Sequence, residues 1–287
     1  MSAAGETAAE GGGWGLIAGN GRFPLLVLEA ARARGIAMVV AAIREETWPE
    51  IEQAAAEVHW LSLGQLGRLI ELFQQRAVRR AIMAGQVKHK RIFSSLRPDW
   101  RMVKLLASLA AKNTDSLLGA VVRELAAEGI EVVDSRQFLE PLLAAEGCLT
   151  PRAPDAEERR DIAYGWRLAR HLAAADIGQT VVIAGGACVA VEAMEGTDAA
   201  IRRAAELAQG RRLTVVKVAR PQQDVRFDVP VVGPETIRTM AECGAGALAV
   251  ESGLTLLLDR ERLLALAAER GIAIVGRRDE AAAEGGA

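Results

Sequence analysis

Asp224 and Asp228 stand four residues apart in the stretch KVARPQQDVRFDVPVVGP (217–234), with Arg226 between them, Gln223 beside them, and Lys217 and Arg220 upstream. Paired carboxylates can bind a divalent cation or orient water. An arginine can hold phosphate oxygens through parallel hydrogen bonds, and a lysine adds a compact positive charge. Together these groups suit a phosphoanhydride substrate, where positioning and charge neutralisation supply most of the catalysis. On an extended stretch, Asp224, Arg226 and Asp228 would all face one side. Pro221 and Pro230 stiffen the two ends, which favours preorganisation. The competing reading is a surface ion-pair loop that contributes little stability.

Other short stretches carry candidate ligand contacts. IAGNGRFP (17–24) offers Gly19 and Gly21, whose backbone N–H groups can approach an anion ahead of a helix. It falls short of the G-x-G-x-x-G fingerprint because Pro24 stands where the last glycine belongs. LGQLGRLI and MAGQVKHKR place Gln65, Gln86, Lys88 and Arg91 just beyond expected strands, where open α/β sheets bind ligands. EAMEGTDAAIRR (192–203) points Gly196 and Thr197 at whatever lies ahead of a helix, with Thr197 read as its N-cap. Glu195 and Asp198 there are possible ligands for magnesium. His59, His89 and His171 have no spacing that suggests zinc or a triad, and no G-x-S-x-G elbow is present.

The elements that must position these residues alternate. Apolar runs at 14–19, 36–43, 57–63, 79–85 and 129–135 read as strands separated by helical patterns, which predicts βαβ units and a Rossmann-like parallel sheet over 13–145. Closely spaced prolines mark a linker at 146–154, and a second α/β domain covers 155–278. Within it, Gly185 and Gly186 join two strands and Pro234 starts a helix. The 287 residues are half apolar, and 35 basic against 37 acidic side chains give a net charge of −2. That balance argues against nucleic acid as a partner and makes any anion site local. Three scattered cysteines favour a reducing compartment. Residues 1–12 read as a loose leader without signal-peptide character, and no transmembrane helix is expected.

GLIAGNGRFPLL, LGQLGRLIELF, IMAGQV, LTPRAPDAEERRDI, VEAMEGTDAAIRR, KVARPQQDVRFDVPVVGPETI and AVESG, in this order over about residues 14–276, together resemble the LpxI-type UDP-2,3-diacylglucosamine pyrophosphatases of lipid A biosynthesis. The resemblance implies hydrolysis to UMP and 2,3-diacylglucosamine 1-phosphate (lipid X), and a Mg²⁺ requirement. It also implies a cytoplasmic enzyme peripheral to the inner membrane, with the lipid held between two domains. Its pattern maps the essential aspartate onto Asp224 and a second acid onto Asp228, the pair expected to hold the metal. Gly19, Gly21, Gln65, Gln86, Gly196, Thr197, Lys217, Gln223 and Arg226 are then the expected substrate contacts. The expected partners are the lipid substrate and product, the membrane surface and a second copy of the chain. Arg220 replaces the family's usual lysine, and Asn20 stands where glycine is common. A diacylated substrate calls for an apolar cleft lined from both domains, with the 146–154 linker as hinge. A noncatalytic nucleotide- or lipid-binding protein and a dinucleotide-dependent oxidoreductase are the alternative readings.

Overall fold

The computed structural model describes residues 12–87, 98–109, 113–221 and 223–278. Lys88 and Arg91, Gln222, and residues 1–11 of the expected leader lie outside them. The chain divides into two compact units, 12–139 with Val225–Phe227, and 140–224 with 228–278.

In the first unit, strand β1 (Gly13–Ala18) leads to helix α1 (Phe23–Ala33) and β2 (Met38–Ile43) to the short α2 (Ile51–Ala54). Strand β3 (Glu57–Leu61) is followed by α3 (Leu66–Gln75), and β4 (Val78–Ala84) by α4 (Trp100–Ser108), α5 (Thr114–Ala127) and β5 (Glu131–Val132). The strands form one parallel sheet in the order β3-β2-β1-β4-β5, the first five strands of the Rossmann order. Phe73, fully buried on α3, and Leu125 on α5 anchor the core on one face.

The second unit begins with a 3₁₀ turn (Glu140–Leu142), then β6 (Gly147–Cys148), α6 (Ala156–Ala174) and the hairpin of β7 (Thr180–Ala184) and β8 (Ala187–Val191). Helix α7 (Thr197–Ala208), β9 (Leu213–Lys217), β10 (Val231–Val232) and α8 (Pro234–Glu242) follow. Strand β11 (Ala245–Glu251), β12 (Leu256–Leu257), α9 (Arg260–Glu269) and β13 (Ala273–Arg277) complete it. The main sheet runs β6-β13-β11-β9-β7-β8, with β9, β11 and β13 parallel and β6, β7 and β8 joining antiparallel. Period-2 alternation separates its faces. Val181, Ile183 and Val216 pack under Trp166 and Ala169 of α6, while Val182, Val215 and Leu248 pack under Ile201 of α7, Ile237 of α8 and Leu263 of α9.

The stretch read from sequence as a linker is built into this second unit. Strand β6 pairs with β13, and Arg152 donates to the Gly271 and Gly246 carbonyls at 2.6 and 2.8 Å. The prolines there bend the chain around a buried ion pair instead of marking a free hinge. Arg152 grips Glu158 (2.7 Å to Oε2), Arg212 lies 3.2 Å away, and the Glu158 side chain is only 3% exposed. Asp155 caps α6 by accepting from the Glu157 and Glu158 N–H groups, and Glu158 accepts from the Asp155 N–H, completing a capping box. Burial would push the Glu158 carboxyl up. The hydrogen bonds from Arg152 and Asp155, with the charges of Arg152 and Arg212, outweigh it and hold the carboxyl below the usual value of 4.5.

Glu158→Gln should therefore cost about 2 kcal/mol near neutral pH, less than the roughly 3–5 kcal/mol of a fully buried pair, because Arg152 keeps 30% of its side chain exposed. A carboxyl with a lowered folded pKa stabilises above its unfolded value and loses that contribution as pH falls through the folded one. The stability gap between wild type and variant, read by urea melts, should hold above about pH 4.5 and close in more acid solution.

Candidate active site

Strand β9 is buried along its whole length, and the chain is pinned where it leaves the sheet. Val218 N–H donates to Gln179 O at 2.9 Å, and Ala219 N–H donates to the buried Glu251 Oε2 at 2.8 Å. Arg170 of α6 lies 3.3 Å from the same carboxylate and 3.3 Å from Ala219 O. The next residues form a turn. Gln223 N–H donates to Arg220 O and Arg220 N–H donates to Gln223 Oε1 (3.1 and 3.0 Å). The Arg220 guanidinium then bridges Asp176 (2.6 Å) and Asp228.

Asp224 to Asp228 is not extended. Asp228 N–H donates to Asp224 O at 2.9 Å, closing a single helical turn. Residues i and i+4 of such a turn share a side, so Asp224 and Asp228 stay together while Arg226, two residues on, does not join them. Val225–Phe227 belongs to the first unit. Ser135 N–H donates to Val225 O at 3.0 Å, Ser135 Oγ lies 2.7 Å from Arg226 O, and Phe227 packs on the first core. Arg226 lines a polar pocket there with Arg79, Asp134 and Gln137. The expectation that all three charged residues share one face is corrected by this turn.

At the end of β9, Lys217 is 6% exposed and donates to Thr197 Oγ1 at 2.9 Å, and Thr197 Oγ1 donates to Glu192 Oε1, also at 2.9 Å. Lysine only donates and an ionised carboxylate only accepts, so the hydroxyl between them has one possible direction. Thr180 Oγ1 lies 3.4 Å from the same hydroxyl. Glu192 is buried, and its Oε2 has no partner among the described residues. An oxygen in that state is complemented by water, a ligand donor or a cation. Thr197 is the first residue of α7, not its cap. The N-cap is Gly196 at φ +87°, a conformation glycine accepts without strain, and it supplies no side-chain acceptor. The helix N-terminus is thus left without a capping side chain.

Glu195 and Asp198, read as possible metal ligands, have structural partners. The backbone N–H groups of Glu195 itself and Ala193, then Arg203, hold the Glu195 carboxyl below its usual range. Asp198 accepts from Thr236 Oγ1 at 2.8 Å. Among the described residues no group of three acid, histidine or cysteine side chains could hold a metal. Asp224 and Asp228 are oxygen donors of the type magnesium takes, Asp228 is already shared by Arg220, and two carboxylates do not make an all-protein cage.

In the first unit the glycine turn serves the sheet. Gly19 N–H donates to Ala84 O, and Asn20 and Gln86 form an antiparallel bridge of 2.8 and 3.0 Å hydrogen bonds. A Cβ on Gly19 would meet Gln86 O at 2.9 Å, and one on Gly85 would meet Asn20 O at 2.7 Å. Close approach of two loops explains the glycines, and the Gly19 N–H is not presented to an anion. Gly21 takes φ +96° in open space. Gln65 Oε1 accepts from Ser62 N–H, and Asp99 fills the start of α3 by accepting from Gly67 N–H. Glu192, Glu251 and Ser135 were not singled out as site residues by the sequence. Glu192 opens the EAMEGTDAAIRR stretch, three residues before Glu195, and both glutamates close an apolar run, in VAVE and LAVE.

Family models match both units in order: the LpxI N-terminal domain over residues 14–142 and the LpxI C-terminal domain over 145–275. The chain belongs to the LpxI family. Among its relatives is the UDP-2,3-diacylglucosamine pyrophosphatase LpxI of Caulobacter vibrioides, 34% identical over 273 residues, covering 91% of this chain and 96% of that protein. A biotin carboxylase domain of a Hydrogenobacter thermophilus 2-oxoglutarate carboxylase aligns with 62% of this chain and 36% of its own, at 15% identity and a TM-score of 0.23. That superposition is too loose to bear on the LpxI fold.

Thr197→Val should strand the Lys217 ammonium and the Glu192 carboxylate, lowering stability by roughly 1–3 kcal/mol. Thr197→Ser keeps the hydroxyl and should recover most of the loss. Denaturant melts of the two variants check this, and equal midpoints for Val and Ser would rule out the relay.

Proposed function

We propose that this chain hydrolyses the pyrophosphate bond of UDP-2,3-diacylglucosamine, releasing UMP and 2,3-diacylglucosamine 1-phosphate, and that it does so at the inner-membrane surface where a diacylated lipid resides. Family membership supports the substrate class. In the structure, the supporting observation is the hydrogen-bonded turn that has Asp224 and Asp228 at its two ends, a few residues past a pinned strand.

In this reading Asp224 orients the attacking water. A P–O bond forms to that water as the bridging P–O bond breaks, and the second phosphate leaves with the bridging oxygen. Asp228, held by Arg220, keeps the turn closed and its partner carboxylate in place. Lys217, oriented through Thr197, supplies positive charge for phosphate oxygens near the open start of α7. Gln223, anchored to Arg220 N–H through Oε1, has a buried Nε2 with no partner among the described residues and offers it to the substrate. Mg²⁺, when held by Asp224 and Asp228, would neutralise charge on the phosphates.

Asp224→Ala should lower kcat by on the order of 100-fold or more with little change in substrate binding, because it removes an interaction made in the transition state. UMP release measures the first effect. Mass spectrometry of co-purified lipid measures the second, with intact UDP-lipid expected on the variant. A folded Asp224→Ala protein with near-normal turnover would overturn the assignment.

A further inference from the structure

A single helical turn is costly to form alone. It fixes three residues for one hydrogen bond, and its nucleation is disfavoured by a factor of about a thousand. The turn from Asp224 to Asp228 has the one internal bond from Asp228 N–H to Asp224 O, and no helix continues it. Contacts from outside must therefore hold it closed. A longer helix would satisfy the Val225 and Arg226 carbonyls from its own next turn. Here both meet one serine of the first unit.

Ser135 is 1% exposed. Its N–H donates to Val225 O at 3.0 Å, and its Oγ lies 2.7 Å from Arg226 O and 2.6 Å from Met83 O near the end of β4. A hydroxyl carries one proton, so the strand end and the turn share it. The serine is itself fixed. Val133 N–H donates to Ala81 O, extending the pairing of β5, and Gln137 N–H donates to Asp134 O, both at 3.0 Å. Asp134 also accepts from the Arg136 N–H and guanidinium at 2.8 and 2.7 Å. Phe227, on the same turn, packs on the first core.

We propose that Ser135 is a positioning residue for hydrolysis. Through the Val225 and Arg226 carbonyls it keeps the turn closed, and so sets where the Asp224 and Asp228 carboxylates stand relative to each other. The proposal rests on the proposed function, which gives those carboxylates their chemistry.

The test uses the full chain with Ser135→Ala, which removes the shared proton, and Phe227→Leu, which loosens the same tripeptide without touching a hydroxyl. Thermal melts set a temperature at which both variants are folded. Exchange of the Asp228 amide hydrogen, followed by NMR, reads turn closure without any reaction and should quicken at least about tenfold in each variant. Release of UMP from UDP-2,3-diacylglucosamine should show kcat reduced roughly tenfold with KM changed by less than about twofold, the mark of displaced reacting groups and not of lost binding. In an Asp228→Asn background, Ser135→Ala should lower kcat by a clearly smaller factor, because both changes act on one turn. Unchanged kcat in the folded Ser135→Ala protein, unchanged Asp228 exchange, or a full multiplicative loss in the Asp228→Asn background overturns the proposal. Faster Asp228 exchange in the variants with no UMP release by wild type would instead reject the hydrolytic reading and leave Ser135 as the holder of the turn.

Discussion

A buried carboxylate at the end of β11 governs how the charged segment leaves the core. Glu251 is 4% exposed and accepts the Ala219 N–H at the point where β9 stops pairing. Without that acceptor the N–H would be buried and unpaired, at a cost comparable to a lost hydrogen bond. The chain can therefore change within a few residues from a fully apolar strand to a turn carrying Arg220, Asp224 and Asp228. Arg170, reaching from α6, offsets the charge of the acid. The acid, the strand end and the helix thus form one support. The position of both aspartates depends on it more directly than on the two prolines that flank them.

The two sheets illustrate different uses of the same α/β logic. In the second unit the carboxyl end of β9 keeps charged groups, an uncapped helix start and an unpaired acid oxygen among the described residues. Among the described residues of the first unit, the corresponding edge carries the Asn20–Gln86 backbone bridge and mostly aliphatic side chains. The fold class alone would suggest a nucleotide in the first unit. The close approach of two loops accounts for Gly19 and Gly85 there.

Much of this was legible in the sequence. Alternating apolar runs give every strand of the first sheet, and Gly185–Gly186 between two such runs gives the β7–β8 hairpin. The segment 217–234 stands out by charge density alone, and the seven quoted motifs lead to the family. What could not be read is tertiary. LTPRAPDAEE looks like a linker because its prolines are visible and its partners, Gly246 and Gly271, are roughly a hundred residues away. Thr197 resembles an N-cap until Lys217 and Glu192 claim its hydroxyl. Asp224, Arg226 and Asp228 alternate onto one face only along extended backbone, and one hydrogen bond from Asp228 N–H to Asp224 O replaces that period of two by a turn.

The membership of Val225–Phe227 in the first unit has a consequence for dissecting the molecule. The polypeptide passes from one unit to the other at 139/140, at 224/225 and again at 227/228. A fragment ending at Leu139 would lack the carbonyls that Ser135 meets and the ring of Phe227 that covers part of its core. The two halves are contiguous as genes and interleaved as folding units. The first cannot be expressed alone with all its native contacts, and a split of this protein into complementing pieces has to carry the tripeptide with the second piece and return it to the first on assembly.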